Sequence, residues 1–425
     1  MKIAIAASGT RGDVQPYVAL GKGLHAAGYS VRVLTSDDFA GLVTDAGLEF
    51  CSTGASIEGM LQSKEWRDAM ESGNFLKILA RMTSETKRRA QDLAQNMPDL
   101  FAGADLILAG MGGLGGSFSI AEKLNLPVIQ ADVFPITPTR MFPSPLTPTL
   151  PFGGLLNGLS FRAMRQMLWQ TTRAADVTTR RALGLPAASF WGPFRSLQAR
   201  RVPVLYGYSN HVLPRPNDWD ALNHVTGYWF LDAPADWVAP QGLTDFLRAG
   251  APPVYIGFGS MGNRNPEATT QIALKALALS GQRGVLASGW GGLSQADLPA
   301  NVHMIASVPH SWLFPQMAAV VHHGGAGTTA AGLRAGVPTT VVPFFGDQPF
   351  WGQRVAALGV GSAPIPKRRL TAERLSAAIT QMVSDQALRQ RAADLGEHIR
   401  AEDGIADAVE QIERLTVRSS RAFSS

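Results

Sequence analysis

Short apolar runs alternate along this chain with longer stretches whose apolar positions recur every three or four residues. Lys2–Ala7, Tyr29–Thr35, Leu48–Ser52, Asp105–Ala109 and Leu126–Ala131 read as buried strands; Val14–Ala27, closed by Gly28, and Leu61–Asn96 read as helices between them. Strands that alternate with helices predict a parallel sheet covered on both faces. Val204–Ser209 reads as the last strand of this half. The pattern restarts with strand Val254–Phe258, a helix near Pro266–Ser280, and strands Gly284–Ser288, Val302–Ile305, Ala318–Val321 and Thr339–Pro343. An α/β protein is expected, with one unit over 1–213, a linker rich in Pro, Asp and Trp over 214–240, and a second unit over 241–400. Leu370–Met382 and Gln386–Leu415 predict charged helices, and Arg418–Ser425 a disordered tail.

Composition adds limits to this picture. At 425 residues the chain exceeds one ordinary core, in keeping with two to three domains. A single cysteine, Cys51, excludes an internal disulfide framework and a multi-cysteine metal site. No apolar run approaches the roughly 20 residues that span a bilayer, and the first residues carry no secretory signal, so a cytoplasmic location is expected. A net charge of +5 is compatible with phosphates or an anionic membrane; no zinc-finger or RNP-like spacing accompanies it, so nucleic acid is not an expected partner. From Pro135 to Pro151 repeated prolines exclude a helix, and Met141, Phe142, Leu146, Leu150 and Phe152 lie among them, either packed on the domain or lining an apolar pocket. Phe161–Arg201 holds eight arginines, Arg162, Arg165 and Arg173 among them, against one acid, Asp176. Such a segment suits weak peripheral contact with an anionic membrane, or is an ordinary helix with one core face.

The densest chemistry lies between Ala318 and Val355. A strand stops at His323-Gly324-Gly325-Ala326-Gly327-Thr328-Thr329, and a helix is expected there, capped by Thr328 or Thr329 and ended by Gly336 and Pro338. Bare backbone beside a helix N-terminus suits a phosphate. Thr339–Pro343 leads to Asp347-Gln348, which should lie beyond a strand's carboxyl end beside that turn and suit a polyhydroxylated group. Taken singly, these motifs are equally compatible with a tight turn and a surface loop. Gly257-Phe258-Gly259-Ser260-Met261-Gly262 fits the dinucleotide fingerprint, but Gly284–Trp290 offers no acid for a ribose, which weakens an oxidoreductase reading.

Together, GAGTTAAGLRAG and PFFGDQPFWG resemble the C-terminal signature of family 1 glycosyltransferases, closest to the sterol 3-β-glucosyltransferases and bacterial antibiotic and glycolipid transferases. The resemblance implies the GT-B fold: two Rossmann-like domains facing across a cleft, the first binding the acceptor and the second the nucleotide sugar, with a last helix, about 401–425, crossing back. By carry-over, His323, Gly325, Ala326, Gly327 and Thr328 hold the diphosphate, approached by Gly259-Ser260, and Asp347 and Gln348 bind the sugar. Gly9, Thr10, Arg11 and Gly12 border the phosphates. Ala306-Ser307 lacks the Trp that stacks on uracil in plant members, so the base is expected near Val308 and His310. Met111, Phe134, Met141 and Phe142 are the expected acceptor pocket.

In the same place where many members carry a catalytic His, this chain carries Asp13, in a GSRGD-like motif with Thr10 for Ser. An Asp there is otherwise a helix cap. The resemblance makes it the general base of an inverting transfer from UDP-glucose to a hydroxyl of a sterol or related polycyclic acceptor. An apolar cleft should raise its pKa above about 3.9. His310 and Asp132 are the next candidates for the base. No cofactor or metal is implied, and Asp218-Trp219-Asp220, which mimics the D-x-D of metal-dependent transferases, lies in the linker and follows no buried strand. Lipid, polyketide or flavonoid acceptors, a dTDP donor and a non-catalytic nucleotide-sugar binder stay open.

Overall fold

Two all-parallel sheets carry the chain in a computed structural model that describes all residues except 55, 72–74, 111–112, 148–152, 260–265, 290–297 and 423–425. The first sheet has β1 (Lys2–Ala6), β2 (Ser30–Thr35), β3 (Glu49–Ser52), β4 (Leu106–Ala109), β5 (Val128–Asp132), β6 (Val204–Tyr206) and β7 (Asn223–Val225) in the order β3-β2-β1-β4-β5-β6-β7. The second has β8 (Val254–Gly257), β9 (Gly284–Ala287), β10 (Val302–Ile305), β11 (Ala319–His322) and β12 (Thr339–Val341) in the order β10-β9-β8-β11-β12. Central strands such as Leu106–Ala109 and Val254–Gly257 are buried on both faces, which is why they read as continuous apolar runs. Each sheet reverses its strand order beside its first strand, between β1 and β4 and between β8 and β11. Ligands of such sheets lie beyond the strands' carboxyl ends at this reversal. The Gly9–Asp13 loop follows β1, Gly259 follows β8, and the His323 turn follows β11.

Several expectations need correction. Strand β7 falls inside 214–240, so the first sheet runs into the segment read as a linker. Its three residues, Asn-His-Val, carry too little apolar periodicity to be seen. Leu61–Asn96 belongs to three helices, Ile57–Gln62, Lys64–Glu71 and Phe75–Leu100. The helix expected over Gln386–Leu415 is broken into Gln386–Ala401 and Gly404–Ala422. Arg418–Ala422 is therefore helical, while the rest of the expected tail lies outside the described residues.

The Gly404–Ala422 helix docks on the first domain. Ile405 meets Gly23 of the Arg11–Ala26 helix, and Tyr29 Oη donates to Glu413 Oε1 at 3.3 Å. Further contacts join the two units: Arg334 makes a bidentate pair with Asp232 and lies 4.5 Å over the Phe230 ring, and Arg354 Nε donates to the Val212 carbonyl. Among the described residues no helix is long and apolar enough to cross a membrane.

Candidate active site

On the first domain's side, Asp13 sits in the first turn of the Arg11–Ala26 helix and folds back onto its entry loop. Thr10 donates to Asp13 Oδ2 from both its backbone N–H, at 2.8 Å, and its hydroxyl, at 2.9 Å. Gly9 permits this: at φ 138° a Cβ there would lie 2.5 Å from Oδ2. Thr10 is thus the N-cap and Asp13 its capping-box partner in the first turn, placed at the strand-order reversal. Burial raises its pKa, and the Thr10 bonds oppose the rise. Arg11 donates from Nε to Gln15 Oε1 at 3.0 Å, and its guanidinium faces the second domain closely enough to act on His310.

Across the cleft, Gly324 adopts φ 96°, where a Cβ would strike Val341, and Gly325 is extended at φ −59°, ψ 145°. The chain therefore enters its helix at Ala326, with Gly325 as the N-cap. This corrects the expected Thr cap: Thr328 lies in the first turn, and Thr329 Oγ1 donates back to the Gly325 carbonyl at 3.0 Å. The N–H groups of Ala326, Gly327 and Thr328 have no intrahelical acceptor, which suits this end to an anion. A Cβ built on Gly327 would be only 3.9 Å from Gly12, so the two glycine loops face each other directly.

His323 is wedged between glycines: a Cβ on Gly259 would lie 3.1 Å from its Cε1, and one on Gly325 2.6 Å from its Nε2. Burial pushes its pKa down to about 4, so it is a neutral group, and its buried Nδ1 has no hydrogen-bond partner. The neighbouring His322, unread in the sequence, ends β11 fully buried; its Nδ1 accepts from Gly324 N–H at 2.9 Å and so shapes the turn. His310 stacks on Phe314 at 4.2 Å, and burial, with Arg11 and then His323 adding to it, pushes its pKa down to about 4. The Val308 side chain is buried in the core, which leaves only its backbone for a ligand.

Asp347 is the N-cap residue of the Gln348–Ala357 helix, and its Oδ2 accepts from Trp351 Nε1 at 2.8 Å. Its pKa is pushed up to about 7, by burial first and by the Asp13 charge second, with the Trp351 bond opposing. Carboxylates from opposite domains therefore act on each other across the cleft. Gln348 is buried, and its Oε1 accepts from the N–H groups of Phe344 at 2.7 Å and Phe345 at 3.2 Å, fixing the loop that presents Asp347. Trp351 stands in the quoted motif; its bond to Asp347 follows from the i, i+4 reach of the Gln348–Ala357 helix, an element not expected from the sequence.

The apolar wall is only partly assembled from the expected residues. Phe142 lies between Phe161, at 6.2 Å, and the second domain's Phe350, at 5.9 Å, and Phe134 packs on the first core. Met141 is instead 60% exposed and belongs to the surface. Ser260 and Met111 lie outside the described residues, as do Leu150 and Phe152. Asp132, at the end of β5, is buried and pushed up to about 7 by burial, against Gln130, which donates to it at 2.7 Å, and Arg165.

Asp218 accepts from Thr139 Oγ1 at 2.6 Å and Arg140 N–H at 2.8 Å, and Asp220 Oδ1 from Leu222 N–H and Asn223 Nδ2. Asp218 thus anchors the Pro-rich loop, and Asp220 the turn that leads into β7. Among the described residues no group of His, Cys, Asp and Glu is arranged to hold a metal ion.

Two facing doubly wound sheets with a glycine turn in their shared cleft define a GT-B glycosyltransferase, and known proteins agree. Residues 3–143 match the glycosyltransferase family 28 N-terminal domain, and residues 291–415 the erythromycin biosynthesis protein CIII-like C-terminal domain. The chain resembles the sterol 3-beta-glucosyltransferases UGT80B1 and UGT80A2 of Arabidopsis thaliana. It is 37% identical to both, over 97% and 96% of its length and 68% and 64% of theirs. A sterol 3-beta-glucosyltransferase of Cryptococcus neoformans is 36% identical over 97% of this chain, which spans 27% of that relative. Among solved structures, the calicheamicin glycosyltransferase CalG4 superposes with TM-score 0.69 at 19% identity over 98% of each chain. The glycosyltransferase SsfS6 of Streptomyces sp. SF2575, complexed with thymidine diphosphate, gives 0.63 at 20% over 97% of this chain and 99% of that one. The chain belongs to the glycosyltransferase family that contains the sterol 3-beta-glucosyltransferases.

Proposed function

We propose that this glycosyltransferase moves glucose from UDP-glucose to a sterol hydroxyl with inversion at the anomeric carbon. The observation that carries the reading is the close approach of the first domain's Gly9–Asp13 segment to the Gly325–Thr328 helix start, where Gly12 faces Gly327. Asp13 Oδ2 is held by Thr10, which leaves the carboxylate oriented to accept the proton of an acceptor hydroxyl. That oxygen bonds to the anomeric carbon as the bond to the β-phosphate oxygen breaks, and the electron pair leaves with UDP. The first-turn N–H groups, the Thr328 hydroxyl, neutral His323 and the Arg11 guanidinium are the groups available to meet the developing phosphate charge. Asp347 accepts hydrogen bonds from the sugar hydroxyls, and Gln348 holds its loop. The base lies near the Val308 backbone and His310, and Phe142 and Phe134 contribute to the acceptor wall.

Sterols are named as acceptors because the relatives sharing nearly this whole chain bear that activity in their names. Neither a metal nor a cofactor is part of the proposal, and a cytoplasmic location is. A product assay with UDP-glucose and a panel of sterols, polyketides and flavonoids, with and without EDTA, tests it. Formation of a β-glucoside of a sterol, unchanged by the chelator, is the expected result. Preference for a polyketide, or for a dTDP sugar, would reassign the substrate while keeping the class.

A further inference from the structure

The 29-residue helix Gly154–Ala182 carries one stripe that is exposed at its start and overlaid by a loop farther along. Leu155, Leu159, Arg162, Gln166, Gln170 and Arg173 follow one another at spacings of four and three residues, which puts them on a single stripe. The stripe begins apolar, with Leu155 70% and Leu159 47% exposed. Over its middle sits a loop that displays two adjoining aromatic rings to solvent, Phe190 at 52% and Trp191 at 61% exposure.

That loop is built with care. Gln166 Nε2, Trp169 Nε1 and Gln170 Nε2 all donate to the Phe190 carbonyl, at 3.2, 3.0 and 3.2 Å. Gly192, at φ 83°, lies so close to the Trp169 ring that a Cβ would come within 2.9 Å. The Arg173 guanidinium stands 5.1 Å over Phe190, and Trp191 meets Phe190 edge-on at 5.3 Å. Three side chains and a left-handed glycine thus fix two rings where they contribute little to the core. Exposed aromatic pairs held rigidly beside arginines match the headgroup region of a bilayer, where a ring's apolar body inserts while cations meet lipid phosphates.

Charge selects the lipid. Between Leu155 and Arg201 the arginines at 162, 181, 195, 200 and 201 are exposed, and the one acid, Asp176, is buried against Ser119, whose hydroxyl donates to it at 2.9 Å. Arg165 does not take part: its Nε donates to the Ile136 carbonyl at 3.0 Å and its guanidinium covers Phe194, which removes it from the contact expected of it in the sequence. We propose that this face docks on an anionic bilayer, with Phe190, Trp191, Leu155 and Leu159 inserting and Arg162 and Arg173 meeting the headgroups. The Pro-rich loop joins the surface where Asn157 Nδ2 donates to the Arg140 carbonyl, so exposed Met141 lies near the helix start. A hydrophobic acceptor could thus be drawn from the bilayer near the wall of the cleft; this use rests on the proposed acceptor class, whereas the docking does not.

Cosedimentation of the full chain with phosphatidylcholine vesicles containing about a third phosphatidylserine, without either substrate, tests the proposal. The wild type should bind at low salt, and added salt should weaken it by roughly fivefold per arginine screened. The double variant Phe190→Ser/Trp191→Ser should lose at least about tenfold in partitioning, because two half-exposed rings no longer insert. Arg162→Glu should weaken binding to anionic vesicles and leave neutral ones unaffected. Circular dichroism and UDP affinity, both expected to stay as in wild type, show that the variants fold. Wild-type protein that fails to sediment at low salt, or a double variant that sediments equally well, overturns it. So does a wild-type dimer in sedimentation velocity that the double variant abolishes without loss of vesicle binding, since the face would then belong to a second copy. Failure of sterol glucosylation leaves this measurement untouched, so the two readings fail separately.

Discussion

Asp13 and Asp347 oppose each other's ionisation, and that opposition gives the site a pH dependence with a definite sign. The Asp347 pKa of about 7 in the folded protein lies above the ordinary value near 3.9 expected of the unfolded chain. Its stabilising contribution is therefore full below about pH 4 and is lost as pH rises through about 7. Asp347→Asn should melt higher than wild type near pH 8, with the gap closing toward pH 4, as scanning fluorimetry would show. The proposed contact of Asp347 with the sugar calls on the ionised form, so UDP-glucose affinity should rise through about pH 7. In Asp13→Asn this limb should move to lower pH, because a neighbouring negative charge is gone; calorimetry that finds it unmoved would separate the two carboxylates. The same variant should lose about 10² to 10⁴-fold in turnover if Asp13 is the base, and retention of more than about a tenth would leave it a cap alone. Trp351→Phe removes the donor at 2.8 Å from Asp347 and should shift the limb upward and weaken UDP-glucose about tenfold. Asp13, Asp347 and Gln348 were legible because each stands in a recognisable string; the Trp351 and Thr10 bonds were not, because a string does not state which way a side chain folds back.

At the level of elements, glycines decide where the chain turns, and what each one touches decides how much it matters. The turn after His323 was legible from its glycines, yet its helix begins earlier than the threonines suggest, because Gly324 and Gly325 complete the entry themselves. The break near Gly404 was not legible, since Gln386–Leu415 keeps a helical pattern throughout and the reason for the break lies elsewhere in the chain. A Cβ on Gly404 would stand 2.5 Å from the Gly227 carbonyl carbon and 2.6 Å from the Tyr228 oxygen, backbone that has no room to move. A Cβ on Gly23 would come within 2.2 Å of Ile405 Cγ2, and a β-branched side chain on a helix has one strongly preferred rotamer, so little room exists there either. Alanine gains up to about 1 kcal/mol of helix propensity over glycine, whereas overpacking costs about 1–3 kcal/mol. Gly404→Ala and Gly23→Ala should therefore both lower the melting temperature and loosen the crossing helix. A variant of either glycine that melts like wild type would show that the docking surface yields at that place.

Over the whole molecule, two α/β units with a returning last helix were legible, because alternation reports parallel sheets and the family signature supplies their pairing. The contacts that join them, such as Arg334 with Asp232 and Phe142 with Phe350, unite residues too far apart in sequence for any local pattern to show. With Gly12 and Gly327 facing each other, a diphosphate at the helix start touches both units at once. Binding to the folded state alone stabilises by about 2.7 kcal/mol at a hundredfold excess over Kd, and in a chain of this size that amounts to several degrees. UDP and UDP-glucose should therefore raise the melting temperature by that much, with or without EDTA. NAD should not, because β9 ends at Ala287 and Ser288 follows, where a dinucleotide's ribose would need an acid. A shift with NAD equal to that with UDP would reverse the choice between the two glycine turns and make Gly257–Gly262, not Gly324–Thr328, the anion site. A UDP shift that disappears with EDTA would instead mean that the first-turn N–H groups, His323 and Arg11 do not suffice to hold the diphosphate, and that a cation shares the work.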